Sequence, residues 1–301
     1  MTGIEKGGTN MIFYEKIIKS GKMGSKNYSP TSFVENATYS VKKPYIVNIK
    51  TFKQDETTIL HYAQSIEILL CDGLKGFVLA NDKKYQLDGK QIFVIPQNVV
   101  HQTLINKCDG KMYVLKIHPE SLEKLIDLKT LVGKKFLKMG LYSTENFESL
   151  KTCVFELNKS DNLFERSRLL LSVLEMLYAD VAETDDNGDE VDHNNVVLRK
   201  VVDWTTENCG TYVLMQDVAD YVGYSKFYFS RWFKKVTGIT YYAYLSLVRV
   251  DNAKRFLVEG NSIADVAHLC GYENVSHFIS MFYKYVGQTP GEYAKKINEK
   301  D

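Results

Sequence analysis

The sequence of 301 residues lacks the features that mark several special classes of protein. Its five cysteines are scattered and form no C-x-x-C pair. This argues against a disulfide framework and against a thiolate zinc site, and it fits a reducing compartment. No apolar run reaches the roughly 18 residues that span a bilayer, and the first residues hold no continuous apolar segment of a secretory signal. These absences predict a cytoplasmic protein without a membrane partner.

The net charge is also small, because the chain carries only +1 at neutral pH. A nucleic-acid partner therefore has to be inferred from where the charges lie and not from their total. The stretch TDDNGDEVDHNN (184–195) has five acidic residues, no Lys or Arg and one apolar residue, so it cannot bury a face. We interpret it as an acidic linker between a front domain, residues 1–183, and a second domain, residues 196–301.

The front domain is predicted to be a small antiparallel β-barrel or sandwich over about 40–120, followed by helices over about 145–183. The strands are predicted from short runs of β-branched and aromatic residues, which are YIVNIKTF, IEILLC, GFVLA, QIFVIP and MYVLKIH. Predicted turns separate them, namely CDG, LDGK, PQN and CDGK. In the helical part, Leu163, Leu170 and Leu177 are seven residues apart, and Phe164, Leu171 and Tyr178 form a neighbouring stripe. Packing on the barrel and contact with a second copy in a homodimer both fit this pattern.

The second domain contains two similar eight-residue segments, DVADYVGY at 217–224 and DVAHLCGY at 265–272. In each copy a small Ala allows two helices to cross closely, and Gly223 or Gly271 permits a turn that a Cβ would resist. Ser225 and Asn274 are suitable N-caps for the helices that follow. The repeat predicts two helix-turn-helix units in an all-α domain.

Residues 196–297 resemble the DNA-binding domain of the arabinose-regulator (AraC/XylS) family of bacterial transcription factors. The resemblance rests on GYSKFYFSRWFKKVTG, RVDNAKRFL and SIADVAHLCGYENVSHFISMFYKYVGQTPGEY. It implies seven helices, with a connecting helix at about 241–258 between the two units. It also implies an α+β protein of two domains that binds double-stranded DNA, contacts RNA polymerase and acts as an activator.

The resemblance also assigns roles to single residues. The base-contacting positions fall on Phe227, Ser230 and Arg231 in the first reading helix, and on Val275, Ser276, Ile279 and Ser280 in the second. Arginine can pair with a guanine edge through two hydrogen bonds, whereas the second helix lacks such a group. Lys226, Lys234 and Arg249 are expected to contact phosphate, although Arg249 could instead hold the two halves of the domain together.

The front domain is similar to two cupin motifs through His61 and Glu67 in the first and Gly89, Pro96 and His101 in the second. We expect His61, Glu67, His101 and Tyr85 to line a pocket for a small-molecule effector, for which a carbohydrate is one candidate. Because Ala63 replaces the middle histidine, we expect neither a bound metal nor a cofactor. The leading hypothesis is a regulator without enzymatic activity. A cupin enzyme with an appended helical module, and a regulator that responds to a protein or to temperature, are the alternatives.

Overall fold

The structure is a computed structural model, and it describes residues 44–53, 55–80, 83–123, 139–182 and 193–298. The strands are β1 Tyr45–Thr51, β2 Glu56–Thr57, β3 Ile66–Ala80, β4 Lys83–Ile95, β5 His101–Ile105, β6 Lys111–Ile117 and β7 Gly140–Tyr142. The helices of the front part are α1 Pro119–Glu123, α2 Phe147–Lys159 and α3 Leu163–Ala182. The later helices are α4 His193–Asn208, α5 Met215–Tyr221, α6 Lys226–Thr237, α7 Tyr241–Val258, α8 Ile263–Leu269, α9 Val275–Val286 and α10 Pro290–Asn298.

The strands form one antiparallel sheet with the order β1-β6-β3-β4-β7, and β5 pairs with both β3 and β2. Strand β3 changes neighbours along its length, because its first residues pair with β6 and its last five pair with β5. Gly76 lies at this change with a φ of 152°, and a Cβ there would collide with the carbonyl oxygen of Leu104. Among the described residues the edge strands β1 and β7 do not pair, so the closed barrel remains a prediction.

Two predicted turns are wrong, because CDG (71–73) lies inside β3 and LDGK (87–90) lies inside β4. The two segments are opposite each other in the ladder, where the register shifts. Gly73 and Gly89 have φ angles of 70° and 87°. The glycines therefore form a bulge within a continuous strand pair and do not reverse the chain. The predicted turn PQN between β4 and β5 is confirmed.

Helices α2 and α3 confirm the predicted helical region. Leu170 and Leu177 of the leucine stripe pack inward, whereas Leu163, at the start of α3, is 44% exposed. One core joins these helices to the sheet, and its members include Leu150, Val154, Leu170, Leu174, Leu177, Ile66 and Leu115. The neighbouring stripe faces solvent, since Phe164 is 86% exposed and Leu171 and Tyr178 are each 44% exposed. Helix α3 thus packs on α2 and shares one core with the sheet, and an apolar face remains on its outside.

Seven helices, α4 to α10, follow in the described residues 193–298. The predicted N-caps are confirmed, because the side chains of Ser225 and Asn274 accept backbone hydrogen bonds at the start of α6 and α9. Gly223 and Gly271 have φ angles of 77° and 74°, as the predicted turns require. The central helix α7 packs against α4, α6, α8, α9 and α10, and it therefore connects two similar helix pairs, α5–α6 and α8–α9.

The core of this helical region continues into the sheet. Seven buried residues of the front part belong to it, namely Ile59, Leu60, Tyr62, Phe77, Leu79, Val100 and Leu104. Most of the predicted linker, 184–192, lies outside the described residues, whereas 193–195 form the first turn of α4. The domain boundary at 195/196 stays a prediction. In the described part of the chain, no helix is both long and apolar enough to cross a bilayer.

Candidate nucleic-acid interface and regulatory site

The first reading helix, α6, is fixed in place by its buried face. Phe229, Trp232 and Phe233 recur at three- and four-residue spacing and are at most 7% exposed. The rings of Phe229 and Phe233 lie 5.4 and 5.6 Å from that of Tyr241 on α7, both edge to face. The Ser225 hydroxyl accepts a backbone hydrogen bond at 3.3 Å in the first turn. Because this face is locked, the residues between these positions must point to solvent.

The solvent face of α6 carries the predicted DNA-contacting residues. Phe227 is 81% exposed, Lys226, Arg231 and Lys234 are exposed, and Ser230 is half-buried. The helix has no acidic residue, and none of the described carboxylates forms an ion pair with these three cations. The helix therefore presents positive charge next to an exposed aromatic ring, which is a surface that can receive phosphate and a base edge.

The second reading helix, α9, offers a smaller and less polar surface. Ser276 and Ser280 are exposed, but Val275 and Ile279 are half-buried and pack against the core. The Ser280 hydroxyl donates to the carbonyl oxygen of Ser276 at 3.0 Å, so its donor is already used. The exposed face also carries Tyr283 and Lys284.

The structure places Arg249 where both halves of the helical region meet. Its Nε donates to the carbonyl oxygen of Cys209 at 2.8 Å, and one Nη donates to that of Thr211 at 2.7 Å. Its guanidinium also lies 5.3 Å from the ring of Tyr272, and a Cβ on Gly271 would be 2.8 Å from the same Nη. These contacts support a role in holding the halves together, and contact with phosphate remains a prediction.

Three of the four predicted pocket residues of the front part converge. The candidate ligand atoms of His61, Glu67 and His101 all lie within 4.8 Å of one another, and the residues are only 2–5% exposed. Glu67 is near the start of β3, whereas His101 pairs with Ala80 at its end. The sheet therefore curls until both ends of β3 meet around this cluster. Tyr85 packs in a separate apolar cluster, with its ring 4.7 Å from Phe93.

Backbone hydrogen bonds fix both imidazole rings. Nδ1 of His61 lies 2.7 Å from the carbonyl oxygen of Ile59, and Nδ1 of His101 lies 2.9 Å from that of Val99. Because a carbonyl only accepts, each Nδ1 must carry the proton, and Nε2 of each neutral ring keeps its lone pair. Burial, together with His101, lowers the pKa of His61 to about 3, so this ring is neutral at physiological pH.

The sequence analysis missed the buried cation of this cluster, Lys116 on β6. Its Nζ lies 3.3 Å from Oε1 of Glu67, and its side chain is 5% exposed. Burial alone would raise the pKa of Glu67, but Lys116, together with His101 and His61, outweighs that effect and lowers the pKa to about 2. Lys116 is directly opposite Glu67 in the β3–β6 ladder. The apolar run MYVLKIH around Lys116 does not indicate that its charge is buried. Lys116 lies next to Glu67 only because of the register between β6 and β3.

The first turn of α4 connects this cluster with the first reading helix. Asn195 accepts a hydrogen bond from the backbone nitrogen of Val100 at 2.7 Å and donates to the carbonyl oxygen of Asn98 at 3.0 Å. The preceding Asn194 accepts from Nε1 of Trp232 on α6 at 2.8 Å. Val100 precedes His101 of the buried cluster. Two consecutive side chains thus contact the sheet on one side and the reading helix on the other.

The same face of α4 makes a second set of contacts, because Arg199 and Asp203 follow Asn195 at intervals of four. The Tyr62 hydroxyl donates to the Asp203 carboxylate at 2.5 Å, and the Arg199 guanidinium lies 5.0 Å from the Tyr62 ring. Tyr244 of α7 donates to the carbonyl oxygen of Leu60 at 3.4 Å. Leu60 and Tyr62 flank His61, so the segment that supplies one histidine of the cluster also contacts α4 and α7.

Comparisons with known proteins identify a known type of domain in the helical region. The family model described as "Helix-turn-helix domain" matches residues 218–296, which include both reading helices. The chain is 34% identical over 94 residues to the bifunctional transcriptional activator/DNA repair enzyme AdaA of Bacillus subtilis, and this match covers 31% of the chain and 44% of AdaA. The chain thus spans less than half the length of that relative.

Two other comparisons extend over most of the chain. The HTH-type transcriptional activator RhaS of Pectobacterium atrosepticum is 24% identical over 243 residues, which covers 76% of this chain and 85% of RhaS. The crystal structure of ToxT from Vibrio cholerae O395 is 15% identical, covers 85% of this chain and 98% of ToxT, and superposes with a TM-score of 0.44.

The paired helices, the central connecting helix and the match to the family model define a class, the proteins with this type of helix-turn-helix domain. Within that class, the chain belongs to the AraC/XylS family. The resemblance in residues 196–297 is therefore confirmed.

Proposed function

We propose that this protein is a sequence-specific DNA-binding transcriptional regulator whose front part receives a small-molecule effector. The observation that carries the proposal is the solvent face of α6, where Lys226, Arg231, Lys234 and Lys235 lie beside the exposed ring of Phe227 without an acid in the helix. A buried aromatic face holds this helix in one orientation, and a fixed helix is what major-groove reading requires.

In this proposal the pairs α5–α6 and α8–α9 are two helix-turn-helix units, and α7 sets the distance between them. One chain then places α6 and α9 in successive major grooves, about 34 Å apart on one side of the duplex. Arg231 pairs with a guanine edge, Phe227 packs on a thymine methyl and Ser230 hydrogen-bonds a base. Lys226 and Lys234 contact phosphate and fix the position of the helix without reading the sequence.

The second unit contributes less to the choice of sequence. Ser276 is the best placed of its predicted base contacts, because Val275 and Ile279 are half-buried and the Ser280 hydroxyl bonds within the helix. We expect α9 to discriminate weakly, through hydroxyl and methyl contacts, and to favour A·T pairs.

The experiment that tests this function is selection of bound duplexes from a random pool, followed by competition at moderate salt. The wild-type chain is expected to enrich one motif. Arg231→Ala is expected to lose about 1–3 kcal/mol of specific binding and to relax the preference at one base position. Lys235→Ala removes a charge from the same helix at a position with no assigned base contact, so it is the matched control. A chain that enriches no motif would refute the proposal.

We also propose a route from the effector to DNA. A small molecule, for which carbohydrates remain candidates, binds near His61 and His101 and shifts the segments that carry them. Those segments contact α4 through Tyr62 and Val100 and α7 through Leu60, and Asn194 of α4 contacts Trp232 of α6. A change of effector occupancy therefore alters the presentation of the reading helix, provided that the effector has different affinities for the two arrangements.

The remaining parts of the proposal concern assembly. The stripe of Phe164, Leu171 and Tyr178 on α3 is apolar, exposed and spaced by seven residues, which fits a two-stranded contact in a homodimer. We propose that the dimer acts in the cytoplasm as an activator that contacts RNA polymerase, and that it has no catalytic activity of its own.

A further inference from the structure

Trp232 is the largest side chain on the buried face of the first reading helix, and its indole needs a hydrogen-bond acceptor. The side chain is only 7% exposed, and a buried indole N–H without a partner destabilises the conformation that buries it. Asn194 supplies the acceptor, because its Oδ1 lies 2.8 Å from Nε1 of Trp232. This bond joins α6 to a residue 38 positions earlier in the chain, in the first turn of α4.

A second contact joins the same turn of α4 to the turn that precedes α6. Nε2 of His193 lies 3.2 Å from the hydroxyl oxygen of Tyr224, which directly follows Gly223 with its φ of 77°. The ring of Tyr224 packs edge to face against those of Tyr228 and Trp232, with centroid distances of 4.7 and 5.4 Å. The first turn of α4 therefore contacts both the turn of the first helix pair and the reading helix.

We propose that Asn194 is a positioning residue for DNA recognition, which sets the orientation of α6 through Trp232 without touching the DNA. The inference rests on the proposed function, because it assumes that Arg231 reads a base. It adds to that function a residue that determines sequence specificity and that lies outside the two helix pairs.

The place of Trp232 in α6 explains how this contact reaches the base. Phe229 and Phe233 fix one line of α6 against Tyr241 of α7, so rotation of the helix about that line has to be limited by another contact. Trp232 follows Arg231 in the sequence, and any such rotation therefore displaces the guanidinium group. The two hydrogen bonds from arginine to a guanine edge require that this group stays within about 0.5 Å of its position. Lysines that contact phosphate tolerate a larger shift, because their side chains are flexible.

The repeat within the chain supplies an internal comparison. The aromatic spacing of α6 recurs in α9 with Phe278 and Phe282, and Met281 stands there in place of Trp232. Methionine has no side-chain donor, so α9 cannot form the same bond. The contact thus belongs to the unit whose reading helix carries an arginine, and it is not a general feature of both helix pairs.

The test compares the full-length wild type with Asn194→Leu, which removes the acceptor, and Asn194→Asp, which keeps an oxygen acceptor. Competition measures the affinity for the selected motif and for a duplex changed at the base position whose preference is relaxed in Arg231→Ala. We expect the ratio of the two affinities to fall about fivefold in Asn194→Leu, which is the effect of one lost hydrogen bond. The affinity for random DNA and the salt slope are expected to stay at their wild-type values, and Asn194→Asp is expected to restore the ratio.

Two further measurements separate positioning from a general loss of structure. Val196→Ala is the matched control, because Val196 lies in the same part of α4 and is 38% exposed, and it is expected to leave the ratio unchanged. In a Trp204→Phe background, fluorescence reports on Trp232 alone, since the chain has two tryptophans. The emission maximum is expected to shift in Asn194→Leu and not in Val196→Ala.

The outcomes distinguish this inference from the function on which it rests. A wild-type chain that enriches no motif refutes the proposed function, and this inference with it. A wild type that enriches a motif, together with a folded Asn194→Leu of equal discrimination, overturns the positioning role alone. An equal loss of affinity for all sequences, without rescue by Asn194→Asp, also overturns it, because the residue would then serve stability only. If Asn194→Leu does not fold, Trp232→Phe, which removes the donor and keeps a ring, decides through the same ratio.

Discussion

Arg249 has two candidate roles, which are to hold the two halves of the helical region together and to contact phosphate. Substitutions that remove its hydrogen bonds can distinguish these roles. In Arg249→Met the carbonyl groups of Cys209 and Thr211 lose donors at 2.8 and 2.7 Å. Each hydrogen bond to a charged group contributes about 1.5–3 kcal/mol. Because Arg249 is half-exposed and water replaces part of these bonds, we expect the free energy of unfolding to fall by about 2–3 kcal/mol.

Urea unfolding followed by tryptophan fluorescence measures this loss in the relevant region. The chain has only two tryptophans, Trp204 on α4 and Trp232 on α6, so the signal reports on the helical region. Arg249→Lys is the control, since it keeps the charge and removes the planar fork. If Arg249 holds the halves together, Lys does not restore stability. If the residue contacts phosphate, Lys keeps most of the DNA affinity. Unfolding of Arg249→Met at the urea concentration of the wild type would refute the structural role.

Three further perturbations address other parts of the molecule. Lys226→Ala is expected to weaken binding to all DNA sequences alike and to lower the salt slope of the affinity by about 1; a loss confined to one sequence would contradict the phosphate contact. The full chain and the fragment 1–183 are both expected to sediment as dimers. Leu171→Glu places a charge in the exposed stripe of α3 and is expected to make either of them a monomer; a monomeric wild type would remove the dimer hypothesis. The pKa of His61 is about 3 in the folded chain and 6.5 in the unfolded chain, so protons favour unfolding as the pH falls below 6.5. The protein is therefore expected to lose about 1 kcal/mol of stability between pH 7 and 5.5, and His61→Gln to lose clearly less; equal losses would show that another group titrates.

The helical region could be predicted closely because its signals are local. An N-cap is a property of one side chain, and the caps at Ser225 and Asn274 were identifiable from the sequence alone. Likewise, the predicted connecting helix over 241–258 coincides with α7, Tyr241–Val258. The aromatic spacing in α6 determined which face is buried, and hence that Phe227 and Arg231 are exposed.

The sheet was predicted less well because its register depends on distant residues. Glycine with positive φ occurs both in turns and in bulges, so Gly73 and Gly89 suggested turns although they lie within long strands. The pairing of Lys116 with Glu67 depends on the register of β6 with β3, which no local pattern reports. The motif positions of His61, Glu67 and His101 did predict their convergence, whereas Tyr85, chosen for its ring alone, lies elsewhere.

The first turn of α4 has a practical consequence for dissecting the protein. Asn194 and Asn195 fall in the acidic stretch that composition predicts to be a linker, yet they contact Trp232 and the β4–β5 connection. A fragment that begins at residue 196 would lose both amides and would leave the apolar side chains that meet the sheet open to water. A fragment that keeps the reading helix in its native orientation therefore has to start before His193. It also needs a substitute for the sheet, which covers the apolar side chains of the helical region.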